Sequence, residues 1–317
     1  METREAALDW HRRGQGVAIA TVVDTWGSAP RPAGSELACN AAGEFVGSVS
    51  GGCVEVAVLR AAADVIGGGP PRLLEFGVTD DEAWAVGLAC GGRIRVFVDR
   101  FADSLTESLL QAIHERRPVA TVVNLVAGGE RFATSEEADA ALRADRAVLL
   151  EQDGARKLVV PHNPAPRLVI VGAVHIAETL AKSARLLGHD VWVVDPRTAF
   201  LRESLFPGAR LAGDWPQQAL RAIGPDRRTA GAVLTHDPKI DDPALEELLL
   251  SEAYYIGALG SRRTHAQRLE RLAGRGFSPS VLARIHGPAG LAIGARTPAE
   301  IAISVLAQLV GALRQAS

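Results

Sequence analysis

Past residue 166, short β-branched runs alternate with amphipathic stretches of helical length, and this pattern limits the fold more than any other feature of the chain. Strand-length runs stand at residues 167–171, 190–194, 230–234 and 254–258, with helical periodicity between them, first at 174–187. Parallel strands need a crossover of about this length, and such crossovers are right-handed. Residues 166–317 are therefore expected to form a Rossmann-like domain, a parallel sheet wrapped by helices, whose ligands bind where the strands end. Its last helix is expected over 297–313, with Thr297 as N-cap, Pro298 as the first helical residue and Glu300 completing a capping box.

Upstream, three prolines in residues 160–166 (VPHNPAP) stiffen the backbone and remove hydrogen-bond donors, so this segment reads as a linker. Residues 1–160 give strand-like runs at 17–23, 36–39, 72–76, 93–98, 119–126 and 147–150, and helical runs at 53–66, 103–116 and 136–143. The chain is thus expected to be an α/β protein in two parts, a mixed α/β N-terminal domain followed by the Rossmann-like one. A length of 317 residues agrees with two cores rather than one. The net charge of −3 hides −7 over residues 1–160 and +4 over 161–317. That modest basic balance, without interleaved aromatics, does not suit nucleic acid. No apolar run is long enough to span a bilayer, and the polar N-terminus lacks the apolar core of a signal peptide. Three cysteines at wide spacing fit neither a disulfide framework nor a CxxC zinc site. Reduced thiols and a cytoplasmic location are the expectation.

Residues 47–55, GSVSGGCVE, set a cysteine in a glycine-rich turn that opens a helix. Ser50 is expected to cap that helix and Cys53 to fall in its first turn, where free N–H groups and the positive dipole end favour a thiolate. Gly51 and Gly52 let a ligand approach the backbone closely. Ser50 and Glu55 are counted with them as ligand-facing. Cys90, in LACGG, is the natural second thiol.

In the second half, Gly172 to Ala177 (GAVHIA) occupies the place of a dinucleotide-binding turn, but Val174 stands where a middle glycine would admit a pyrophosphate. Asp195, at the next strand end, is placed to accept from a ribose hydroxyl, with Arg197 beside it for a phosphate. His175 and His236 lie at strand ends too. The strongest anion signal is Ser261-Arg262-Arg263: two arginines in a first helical turn oppose the helix dipole unless something negative sits there. Residues 262–296 hold seven arginines and a single acid, Glu270. Of these, Arg268, Arg271 and Arg275 are assigned to a solvated helix face.

These motifs, together with TWGSAPRPAG over residues 25–34, DPR, THD, YIGALGSRRT and GLAIGARTPAEIA, closely resemble the xanthine dehydrogenase accessory (XdhC/CoxI) family over roughly residues 17–100 and 166–315. The resemblance implies a maturation factor rather than an enzyme. Such a chaperone binds molybdenum cofactor, as molybdopterin or its dinucleotide, supports its sulfuration and delivers it to a xanthine dehydrogenase or carbon monoxide dehydrogenase-type molybdenum hydroxylase. The apo-enzyme and a cysteine desulfurase are the implied partners, with a second copy of the chain as a further candidate. The family's cysteine motif falls on Cys53, which becomes a candidate molybdenum contact. The rival reading is an NAD(P)-dependent oxidoreductase, which would need a nucleotide site despite Val174.

Overall fold

The computed structural model describes residues 2–27, 31–77, 92–152 and 155–316. The chain divides into two compact units, Met1–Pro164 and Ala165–Ser317.

The first unit is built around β1 (Val17–Trp26), which is buried over its first seven residues. Both its faces are covered, so the buried run is apolar but for Thr21 rather than alternating. Ala18, Ala20 and Val22 face α2 (Glu55–Ile66) through Val58, Ala62 and Val65. Val17 and Ile19 meet Ala7 and Trp10 of α1 (Glu2–Arg12). Antiparallel neighbours complete a five-stranded sheet in the order β3-β2-β1-β5-β4, with β2 at Glu36–Asn40, β3 at Phe45–Gly47, β4 at Arg72–Phe76 and β5 at Arg93–Arg100. After α3 (Asp103–His114), a four-stranded antiparallel sheet follows in the order β7-β6-β9-β8, with β6 at Val119–Asn124, β7 at Glu130–Phe132, β8 at Val148–Gln152 and β9 at Ala155–His162. Ala138 and Ala141 of α4 (Ser135–Ala144) pack on Val122 and Val159. Val23 and Phe97 join Val123, Leu158 and Val160 in a core shared by the two sheets. Arg4 of α1, fully buried, ties them further by bonding the carboxylates of Glu36 and Glu130.

One expectation needs correction here. Residues 160–162 are not linker: they end β9, where Ala120 pairs with Pro161 and Val119 with His162. Proline is tolerated because β8 stops pairing at Val159, so this stretch has one unpaired side. The short β3 and β7 carry too few residues to show periodicity.

The second unit is a six-stranded parallel sheet in the order β12-β11-β10-β13-β14-β15. Its strands are β10 (Arg167–Val171), β11 (Asp190–Val194), β12 (Arg210–Ala212), β13 (Thr229–Val233), β14 (Tyr255–Ala258) and β15 (Ile285–His286). Leu168 and Ile170 face one layer, made by α5 (His175–Leu186) and α10 (Pro298–Ala316). Val169 and Val171 face the other, made by α6 (Pro216–Ile223), α7 (Pro238–Leu250) and α8 (Arg262–Ala273). Such period-two division of an all-apolar strand makes a three-layer sandwich. A short α9 (Pro279–Leu282) precedes β15. The capping box at α10 is formed as expected: Glu300 N–H donates to Thr297 Oγ1 (3.2 Å) and Thr297 N–H to the Glu300 carboxylate (3.0 Å). No described helix is long and apolar enough to cross a membrane.

Candidate functional site

The candidate residues form two groups, one in each unit. In the first, the loop ahead of α2 wraps around a single carboxylate. Glu55, the first helical residue, is buried and accepts from Ser48 Oγ (2.7 Å), Val49 N–H (3.2 Å), Ser50 N–H (2.9 Å), Ser50 Oγ and Gly52 N–H (2.9 Å). Burial alone would raise this carboxyl, but the hydrogen bonds from Ser50 and Ser48 hold it down at about 2. Ser50 is buried as well, its hydroxyl accepting from Val54 N–H (3.0 Å).

This geometry corrects three expectations. Ser50 is not the N-cap, because Val54 occupies that position without a side-chain cap. Cys53 therefore lies two residues ahead of the first helical residue rather than in the first turn. Ser50 and Glu55 shape the loop from inside and do not face a ligand. What they present is the tip, Gly51, Gly52 and Cys53. Gly52 has φ +121°, and a Cβ built there would meet nothing within 4 Å, so the backbone beside the thiol is open to an approaching group. Arg31, not singled out from the sequence, is fastened to this loop by Nε donating to Ser48 O (3.2 Å). Its place in the TWGSAPRPAG motif was the available signal. Cys90 and residues 28–30 lie outside the described residues.

Cys53 is half-buried, whereas Cys39 is enclosed in the core and burial pushes its thiol up to about 11. Iodoacetamide near neutral pH should therefore alkylate Cys53 and spare Cys39, as read by peptide mass spectrometry. Equal labelling of the two would contradict this loop geometry. No group of three or more His, Cys, Asp or Glu able to hold a metal ion occurs among the described residues.

The second group lines the crest where the parallel strands end. β10 and β13 are adjacent, while the chain runs outward from β10 to β12 on one side and from β13 to β15 on the other, so the topological switch point lies between them. Gly172, at φ +109°, ends β10; a Cβ there would stand 2.4 Å from Thr235 Cγ2, so the turn and the β13 end loop touch. Asp195 is fully buried at the end of β11. Its carboxylate accepts from Ala173 N–H (2.8 Å), Arg197 N–H (2.9 Å), Arg197 Nε (2.9 Å) and Arg197 Nη2 (2.8 Å). These four bonds fill the acceptor capacity of a carboxylate, so the expected ribose contact by Asp195 is not available. Its work is to hold the Gly172 turn and to brace Arg197, whose partly exposed guanidinium also stacks on Phe200 at 5.0 Å.

His175, the first residue of α5, is 90% exposed and makes only a 3.2 Å contact with Glu178. His236 is exposed in a left-handed conformation at φ 67°, beside Asp237, which caps α7. On the neighbouring loop Ser261 caps α8 by accepting from Thr264 N–H (3.1 Å). Arg262 and Arg263 are exposed in the first turn, and neither has a hydrogen bond or ion pair among the described residues. Two guanidiniums without a partner among the described residues thus stand at the positive end of a helix dipole.

Arg268 departs from the solvated-face expectation: it is fully buried, reaching Leu259 O (2.9 Å) and Asp241 (3.4 Å). Arg271 and Arg275 are paired, with Asp242 and with Asp242 and Glu246 respectively. The adjacent Asp241 and Asp242 in PKIDDPALEELLL were the sequence signal for these pairings.

Family models place both groups. A model described as the XdhC and CoxI family matches residues 10–77, which include the thiol loop, and one described as the XdhC Rossmann domain matches residues 168–309, which include the crest. Over 92% of its length the chain is 31% identical to a probable xanthine dehydrogenase subunit of Bacillus subtilis (strain 168), covering 92% of that protein. The chain belongs to the XdhC and CoxI family. It is also 30% identical to the molybdenum cofactor insertion chaperone PaoD of Escherichia coli (strain K12), with 93% of this chain and 83% of PaoD covered. The fold of this XdhC/CoxI chain superposes on the crystal structure of a xanthine dehydrogenase from Bacillus halodurans with a TM-score of 0.78, at 26% identity over 99% of this chain and 96% of that one.

Proposed function

We propose that this protein is a chaperone that binds molybdenum cofactor and inserts it into a molybdenum hydroxylase of the xanthine dehydrogenase type. The observation that carries this reading is the pair of unpartnered arginines, Arg262 and Arg263, at the α8 N-terminus. Molybdopterin ends in a phosphate, or a pyrophosphate in its dinucleotide form, and that is the anion such a helix end takes. The name of PaoD and the kinship with the Bacillus subtilis xanthine dehydrogenase component support the same class of cargo and client. Each unit, taken by itself, has residues that suit the group: the crest has cations suited to a phosphate, and the open tip at Gly51–Cys53 has a thiol suited to a soft metal.

Within this reading Arg262 and Arg263 hold the phosphate, Arg197 adds a braced third cation, and His175 and His236 border the same crest with Gly172 and Ser261. Cys53 is the candidate molybdenum contact, with Gly51 and Gly52 opening the way to it. Support of sulfuration, with a cysteine desulfurase supplying sulfur, rests on that thiol. Carbon monoxide dehydrogenase-type clients and a homodimer belong to the same reading, as does work in the cytoplasm.

Protein purified from a molybdenum-replete host should carry a pterin, and the stripped protein should take up molybdopterin in equilibrium titration in preference to NAD(H). Micromolar NAD(H) affinity with no measurable molybdopterin binding would replace this reading by the oxidoreductase.

A further inference from the structure

Beneath the N-terminus of α8 lies a buried cation that the exposed arginines do not account for. Arg268 is 1% exposed, and its side chain runs back towards the start of its own helix, as long helical side chains do. Its Nη2 donates to Leu259 O and lies 3.9 Å from the position a Cβ on Gly260 would take, so the guanidinium sits under the turn that opens the helix. Its Nε and Nη1 have no hydrogen-bond partner among the described residues. Buried donors of this kind are rare in native proteins and call for an acceptor.

The compensating charge is weak. Asp241, 2% exposed, faces Arg268 at 3.4 Å, longer than the roughly 2.7–2.9 Å of a well-made charge-assisted bond. The other oxygen of Asp241 accepts from Thr235 Oγ1, on the loop that carries His236. Burial also holds the Asp241 carboxyl above its ordinary value, against the hydrogen bond from Thr235 and the nearby charge of Arg268.

We infer that Arg268 is a further, buried guanidinium of the α8 anion site, strengthening it from below for a phosphate or pyrophosphate group, and that Asp241 limits its strength. This rests on the crest being an anion site, as in the proposed function, but not on which cofactor carries the anion.

The two roles of Asp241 predict opposite signs. If it only braces the fold, Asp241→Asn should loosen the crest and weaken anion binding. If it limits the charge of Arg268, the same variant should be less stable yet bind anions more tightly. Calorimetric titration of the full chain with inorganic pyrophosphate separates these. Asp241→Asn should bind several-fold tighter than wild type, and Arg268→Gln about tenfold weaker. Unchanged or weaker binding by Asp241→Asn overturns the inference, as does wild-type binding by a folded Arg268→Gln. Should Arg268→Gln fail to fold, Asp241→Asn decides alone. A wild-type protein that ignores pyrophosphate also overturns the inference, whereas molybdopterin titration judges the chaperone reading separately.

Discussion

Replacing Glu55 by alanine is expected to cost about 3–5 kcal/mol of folding stability, the range for removing a buried charged group and stranding its donors. Five donors converge on that carboxylate from Ser48, Val49, Ser50 and Gly52. Without it, four residues of a tight loop lose their common acceptor and the tip that bears Cys53 loses its shape. Glu55→Gln keeps the size but brings an amide N–H₂ against donors and should recover only part of the loss. The pH dependence has a definite sign. The folded-state value of about 2 lies below the ordinary 4.5, so the stabilisation is complete above pH 4.5 and disappears as pH falls towards 2. Denaturant unfolding of wild type and Glu55→Ala at neutral and acidic pH tests both statements. A loss under about 1 kcal/mol, or an acid slope that survives the substitution, would show that the loop is held by something else.

Removing both Arg262 and Arg263 should abolish measurable retention of molybdopterin. Each charged hydrogen bond is worth about 1.5–3 kcal/mol, so the double alanine variant is expected to bind at least a hundredfold more weakly. Because neither arginine has a partner among the described residues and both oppose the helix dipole, thermal stability should stay level or rise by a few tenths of a kcal/mol. Loss of affinity with preserved stability is the signature of a residue kept for a ligand. A double variant that still retains cofactor would place the phosphate elsewhere.

Most of the architecture was legible because the signals that specify it are local. Strands β4, β10 and β11 match their apolar runs residue for residue, and the α10 capping box follows from Thr297, Pro298 and Glu300. Edge strands of three residues, β3 and β7, escape any periodicity rule. The functional loops were found as motifs, but the direction of their side chains was not legible. Ser50, Glu55 and Asp195 face inward: Glu55 meets several backbone N–H groups of its own loop, and Asp195 meets Arg197 N–H of its own loop and Ala173 N–H of the neighbouring turn, before either meets solvent. Arg268 was misread for the related reason that helical spacing gives a face but not its neighbours, and the acid that draws it inward belongs to a different helix, α7.

The bond from Ala173 N–H to Asp195 bears on how cargo would be exchanged. In a turn whose amide waits for a ligand's phosphate, binding organises the loop and departure must disorganise it again. Here the protein's own carboxylate fills that position, so the turn is held in shape without a ligand. No ordering entropy is then drawn from the binding step, and none has to be returned on release. Under the proposed function, a shelf held by its own carboxylate suits a carrier, whose cargo must leave as readily as it arrives.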